Sequence, residues 1–129
     1  MSSHLPEPAR PAVLVVEDQA IIRLDLAAEL AEHGFEVIEA HDGETGIRLF
    51  REHPRISAAV VDIHLPASLN GYDLVRQIRS IRPACTVVII SGSPFVMPDD
   101  FAEHVIIESK PLDTAKIALV LRMRFADGI

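Results

Sequence analysis

Acidic residues, a hydroxyl and a lysine each follow a short apolar run in this chain. Glu17 and Asp18 follow the run 12–16, Asp62 follows 58–61, Ser91 follows 86–90, and Lys110 comes shortly after 105–107. Such β-branched runs are typical of parallel strands that are buried on both faces. The carboxyl ends of these strands share one edge of an open α/β sheet, where ligands bind. The sequence therefore predicts that the five polar side chains meet in one pocket.

Three carboxylates at one sheet edge repel one another, and their burial is costly unless a cation accompanies them. Mg²⁺ prefers oxygen ligands and is often shared with a phosphoryl group, whereas zinc prefers His and Cys. The six histidines include no pair at i, i+4, which argues against zinc. We therefore expect Mg²⁺ to be held by Glu17 and Asp18 together with Asp62.

A lysine and a hydroxyl beside carboxylates and a metal suit phosphoryl transfer, in which positioning and charge neutralisation carry most of the catalysis. Lys110 could hold one phosphoryl oxygen as a point charge, and Ser91 could hydrogen-bond another. Carboxylates are nucleophiles in aspartyl-phosphate chemistry, so Asp62, at the end of a central strand, is the predicted acceptor. Each residue alone also has an ordinary structural explanation, since Asp18 could simply cap the following helix.

The elements that must position these residues alternate between strands and helices. Periodicity predicts helices over about 18–33, 43–53, 71–82 and 112–125, and an edge strand over 35–40. Gly34 and two prolines end the first three helices. Apolar residues at core spacings in the first helix are Ile21, Ile22, Leu24, Leu26 and Leu30. The order is five strands and four clear helices, which predicts an α/β fold with a parallel sheet.

The segment 93–104 interrupts this alternation. Pro94 and Pro98 break helical periodicity there. Two parallel strands nevertheless need a crossover. We expect a loop with one or two helical turns around 99–104, and thus an irregular or shortened fourth helix.

Length and charge limit the function classes. A chain of 129 residues fits one domain, and we expect a flexible tail over 1–11 before a folded domain over 12–129. A net charge of −7 disfavours direct nucleic-acid binding. The sequence has neither a membrane-length apolar stretch nor a signal core, so we expect no membrane insertion and a cytoplasmic location. The single cysteine, Cys85, fits a buried side chain in a reducing compartment.

Taken together, the motifs resemble the receiver domains of two-component response regulators. The matching segments are 15–18, 60–66 with Asn70 and Gly71 after it, 89–92 and 109–111. The resemblance covers about 11–125 and implies a doubly wound, flavodoxin-like sheet of order 2-1-3-4-5. The roles that it implies are Asp62 as phosphoacceptor, Glu17 and Asp18 as metal-binding acids, the His64 carbonyl as a further metal ligand, Ser91 as switch hydroxyl and Lys110 as phosphate-binding lysine.

Three features depart from the usual pattern of that family. Ile107 stands three residues before Lys110, where an aromatic residue is usual. The segment between Ser91 and Lys110 is short and broken by prolines, and the loop after Asp62 is about one residue longer than the commonest form. None of these removes the phosphorylation chemistry, whereas the first two bear on the output mechanism. The His64 side chain has two interpretations: it could lie near the incoming water and modulate phosphoryl lifetime, or it could be solvated.

We interpret the chain as a stand-alone receiver, a phosphorylation switch of a two-component phosphorelay. Its expected partners are a histidine kinase or histidine phosphotransfer protein and an output protein, and a homodimer is possible. It would catalyse only its own phosphorylation and dephosphorylation, so it would not be an enzyme proper.

Three alternatives belong to other classes. An aspartyl phosphohydrolase usually has a second acid where His64 stands and a cap domain that this chain has no room for. A binding-only pseudo-receiver would lack the acidic site. A flavin-binding domain would have few stacking partners here, since the chain has no Trp and one Tyr.

Overall fold

Five strands and four α-helices alternate along the chain. The computed structural model describes residues 10–66, 68–92, 97–101 and 105–128, without the side chains of 126–128. The strands are β1 Ala12–Val16, β2 Glu36–Ala40, β3 Ile56–Asp62, β4 Thr86–Ser91 and β5 Val105–Ser109. The helices are α1 Ala20–Glu32, α2 Gly43–Glu52, α3 Gly71–Ile81 and α4 Thr114–Gly128. The predicted order of elements is confirmed, although the predicted tail over 1–11 lies almost wholly outside the described residues.

The five strands form one parallel sheet of order β2-β1-β3-β4-β5, as the doubly wound fold requires. The apolar runs of β1, β3 and β4 are buried on both faces, whereas the edge strand β2 is half-buried or exposed over 36–39 and buried only at Ala40. In register, Val16 pairs with Val61, and Asp62 pairs with Ile90. The residues that follow these positions therefore leave neighbouring strands at the same level of the sheet.

Alternate strand residues supply two separate cores, one on each face of the sheet. Helices α2 and α3 cover one face with side chains such as Phe50 and Leu74. Helices α1 and α4 cover the other with Leu30 and Leu121 among others. This two-sided burial follows from the strand periodicity of two, and it holds the strand ends in a rigid frame.

The expected core face of α1 was partly wrong. Ile21 is 84% exposed and Leu24 is 56% exposed, whereas Leu26 and Leu30 are buried as predicted. At about 100° per residue, Ile21 lies about 140° around the helix from Leu26, so both cannot face the sheet. The predicted stop at Gly34 is confirmed, since its φ of 91° lies in the left-handed region that glycine adopts without strain.

The connection between β4 and β5 is irregular, as expected. Its described residues 97–101 form one 3-10 turn, Asp99–Phe101, and no α-helix. Phe101 is fully buried in the core beneath α3, so one aromatic side chain fills space that a crossover helix would otherwise cover. Residues 93–96 and 102–104 lie outside the described residues. Cys85 is buried immediately before β4, and burial raises the pKa of its thiol to about 12, so it remains a protonated, small apolar side chain.

Candidate functional site

The carboxyl edge of the sheet brings together the acidic residues that the sequence singles out. Glu17 follows β1 directly and Asp62 is the last residue of β3. Together with Asp18 they offer carboxylate oxygens that all lie within 4.8 Å of one another. Among the described residues, this is the one cluster of at least three such groups close enough to share a metal ion.

Asp62 is held in a fixed orientation by two donors. Its side chain is buried, Oδ1 accepts a hydrogen bond from the His64 amide at 2.9 Å, and Oδ2 accepts one from Lys110 Nζ at 3.2 Å. The His64 side chain itself is exposed. A carboxylate fixed beside an ammonium group is ready to act as a nucleophile in a defined direction.

Glu17 is fully buried, and one of its two carboxylate oxygens accepts a hydrogen bond. Oε2 accepts from the Gln19 amide at 3.1 Å. Oε1 lies 3.8 Å from Lys110 Nζ and has no hydrogen-bond partner in the described structure. Burial, reinforced by the charge of Asp62, raises the pKa of Glu17 to about 7 despite the Gln19 amide and Lys110.

This donor set suits a hard divalent cation. A buried carboxylate oxygen without a hydrogen bond, beside two other carboxylates, is costly unless a cation approaches it. Asp18 is exposed at the open side of the cluster, so an ion there would also meet water. Oxygen ligands with access to water match the preference of Mg²⁺.

Ser91 and Lys110 belong to one backbone connection. Ser91 ends β4, is buried and follows the register partner of Asp62. Its carbonyl accepts from the Lys110 amide at 2.9 Å, which carries the β5 end toward β4. The hydroxyl thus lies at the end of β4 and the lysine directly after β5, in the order that the sequence predicts.

The loop after Asp62 packs closely against its own strand. A Cβ on Gly71 would lie 2.4 Å from the Ile63 Cα and 2.6 Å from the Asp62 carbonyl oxygen, so only glycine fits there. Asn70 caps α3 by accepting from the Asp73 amide at 3.0 Å. The chain therefore returns into α3 directly beside the buried carboxylate.

Two residues that hold the site escaped the sequence reasoning. Arg23 donates to the Glu17 carbonyl at 2.8 Å. Glu44 accepts from the Leu69 amide at 2.9 Å and from the Ser68 hydroxyl, so it holds the loop after Asp62. The sequence indicates these two residues only through their position. Each is a charged residue in the first turn of a helix that starts at the carboxyl edge of the sheet.

Comparison with known proteins gives the family. The family model described as "Response regulator receiver domain" matches residues 13–103. These residues include the three acids and Ser91 but not Lys110. The transcriptional regulatory protein PdtaR of Mycobacterium tuberculosis is 38% identical over 82 residues, which is 63% of this chain and 39% of that protein. A cyclic di-GMP phosphodiesterase of Thermotoga maritima is 35% identical over 80 residues, 62% of this chain and 21% of its own length. The chain thus spans well under half the length of these relatives.

Solved structures of receiver domains have the same fold as this chain. A response regulator receiver protein from Sinorhizobium medicae has a TM-score of 0.79 at 26% identity, covering 91% of this chain and 95% of that one. A CheY-like receiver domain from Methanospirillum hungatei also has a TM-score of 0.79, at 20% identity, with 92% and 96% covered, and this likeness concerns the fold alone. In the described part of the chain no helix is long and apolar enough to cross a membrane. The chain belongs to the response regulator receiver domain family of two-component systems.

Proposed function

We propose that this chain is a phosphorylation switch in which Asp62 accepts a phosphoryl group in the presence of Mg²⁺. The donor is the phosphohistidine of a histidine kinase or of a histidine phosphotransfer protein in the cytoplasm. The conformational change that follows controls an output protein. The contact that carries the proposal is the 3.2 Å pair between Lys110 Nζ and Asp62 Oδ2, set beside two further carboxylates.

The charges of the site favour a divalent cation and then a phosphoryl group. With Glu17, Asp18 and Asp62 ionised and Lys110 protonated, the formal charge is −2, which one divalent ion cancels. The carboxylates of the three acids would hold Mg²⁺, and the His64 carbonyl is a further candidate ligand. When bound, Mg²⁺ supplies positive charge to the phosphoryl oxygens.

The protein's own residues account for the transfer step. A carboxylate oxygen of Asp62 forms a bond to phosphorus as the phosphorus–nitrogen bond of phosphohistidine breaks, and the electron pair stays on the imidazole nitrogen, which takes up a proton. Lys110 then pairs with a phosphoryl oxygen instead of the free carboxylate. Ser91, on the neighbouring strand, supplies a hydroxyl that can donate to another phosphoryl oxygen.

Intact-mass measurement after incubation with acetyl phosphate and Mg²⁺ tests the acceptor. The parent protein should gain one phosphoryl group, and Asp62→Asn should gain none. Asp25→Asn is the matched control, because it makes the same change at an exposed position of α1. Labelling of the Asp62→Asn protein at the parent level would show that Asp62 is not the acceptor.

The same preparation separates the other function classes. A binding-only pseudo-receiver would remain unlabelled under all conditions. An aspartyl phosphohydrolase would release phosphate from an added phosphate ester over many turnovers. We propose that the chain acts on its own phosphoryl group alone, since His64 stands where such hydrolases usually have their second acid.

A further inference from the structure

Arg23 connects the acidic site to the edge strand of the sheet. Its Nη1 donates to the Glu17 carbonyl at 2.8 Å, and its Nε donates to Glu39 Oε1 on β2 at 3.2 Å. The side chain is 18% exposed, so it lies largely beneath the surface. Both hydrogen bonds are charge-assisted, which makes them stronger than bonds between neutral groups.

The Glu17 carbonyl is at a point where the sheet no longer controls the backbone. The pairing of β1 with both neighbours ends at Val16, and the last link to β2 is the Glu17 amide, which donates to the Ala40 carbonyl at 3.1 Å. The peptide group that follows joins Glu17 to Asp18. Its orientation sets the direction in which the Asp18 side chain leaves the backbone, so a donor on this carbonyl orients the acidic pair.

We propose that Arg23 is a positioning residue for the divalent-cation site, with Glu39 holding its guanidinium in place. This inference rests on the proposed function of the acidic cluster. The planar guanidinium suits the task, because it can bond the carbonyl and the carboxylate at once in a fixed geometry, which a lysine ammonium does not reproduce. Loss of a partner that orients metal ligands typically weakens metal binding about 10- to 100-fold.

Electrostatics alone predicts the opposite result, which makes the proposal testable. A guanidinium near the site repels a divalent cation, so its removal by itself would strengthen cation binding. If Arg23 orients the acidic pair, its removal weakens binding despite the gain in net negative charge. The sign of the change in affinity therefore distinguishes the two roles.

Titration of Mg²⁺ followed by the NMR shifts of the 17, 18 and 62 amides measures this affinity without any phosphorylation. We expect Arg23→Gln to weaken Mg²⁺ binding about tenfold. Arg23→Lys keeps the charge but loses the two-point contact, so binding should weaken by a smaller factor. Arg48→Gln is the matched control on α2, where Arg48 is exposed and pairs only weakly with Glu52, and it should bind as the parent does.

The outcomes separate this inference from the function on which it rests. If the parent protein shows no Mg²⁺-dependent shifts, the proposed function fails and the positioning role fails with it. If the parent binds and Arg23→Gln binds equally well or more tightly, only the positioning role is overturned. If Arg23→Gln does not fold, Arg23→Lys decides the question, because unchanged affinity in that charge-preserving variant would exclude positioning.

Discussion

The ionisation of Glu17, at the centre of the acidic site, is coupled to folding. Burial raises its pKa from 4.5 to about 7, so the folded protein binds this proton more tightly than the unfolded chain. Without metal, the stabilising contribution is fully present below about pH 4.5 and is lost as the pH rises through about 7. A cation bound to the ionised carboxylate would remove this penalty at neutral pH, which links metal binding to stability.

We predict that the metal-free protein loses about 2 to 3 kcal/mol of stability between pH 4.5 and 7.5 from this one group. Glu17→Gln should flatten that part of the stability curve, because the amide does not titrate. Urea unfolding in EDTA at a series of pH values measures it. Glu32→Gln, at an exposed position of α1, is the control. If the free energy of unfolding of Glu17→Gln falls with pH as steeply as that of the parent protein, the pH dependence does not come from Glu17.

Gly71 shows how a residue without a side chain shapes the site. Because a Cβ would meet the backbone of Asp62 and Ile63, we predict that Gly71→Ala lowers the free energy of unfolding by about 1 to 3 kcal/mol. The shift of the α3 start should also disturb the acceptor, so phosphorylation by acetyl phosphate should slow. If Gly71→Ala is destabilised but is phosphorylated as fast as the parent protein, the backbone shift caused by the Cβ does not reach Asp62.

Strand ends were the part of the site that the sequence could predict. Glu17, Asp62 and Ser91 each terminate an apolar run, and parallel pairing alone then brings them to one edge. The contact of Arg23 could not be predicted in this way, because it depends on how far α1 is rotated over β2. The misassigned face of α1 has the same origin: Ile21 satisfies a helical spacing, but spacing does not say which turn of the helix meets the sheet.

At the level of the elements, Arg82 joins three of them at the edge opposite to the site. From the end of α3 its Nη1 donates to the Ile56 carbonyl of β3 at 2.8 Å. Its guanidinium also lies 4.0 Å from the ring centroid of Phe50 on α2. The contact combines a hydrogen bond with cation–π stacking, so it fixes α2 and α3 against the start of the strand that ends in Asp62.

We predict that Arg82→Lys destabilises the protein by about 1 to 2 kcal/mol, since an ammonium keeps the charge but cannot stack and bond at once. The midpoint of urea unfolding should fall accordingly. Arg48→Lys, at an exposed pair on α2, should leave the midpoint nearly unchanged. Equal midpoints for the two variants would mean that the three-element contact adds no stability.

For the molecule as a whole, the connection from β4 to β5 is the part that departs most from the family pattern. Its 3-10 turn is tied to α3: Arg76 Nε pairs with Asp100 at 3.0 Å and its guanidinium lies 5.2 Å from the Phe101 ring centroid. Met97 packs against the same core. The sequence allows two roles for the apolar residues Phe95, Val96 and Met97: a surface that changes on phosphorylation, or a cover for the core where a helix is missing. Phe95 and Val96 lie outside the described residues, and Met97 is half-buried.

We predict that a phosphoryl mimic draws Ser91 toward Asp62 and changes the exchange of amides in 92–104. The reason is that Ser91 opens this connection, whereas Phe101 and the Arg76–Asp100 pair fix its far end to α3. Ile107, 36% exposed on β5, has no hydroxyl that could follow Ser91 as an aromatic partner would. Amide hydrogen exchange with and without beryllofluoride measures the effect. Arg76→Gln should raise exchange at Phe101 already in the unactivated state, because it removes the two contacts of Arg76 with the turn, while Arg48→Gln should not. If 92–104 exchanges identically in both states while other surfaces change, the conformational signal travels by another path.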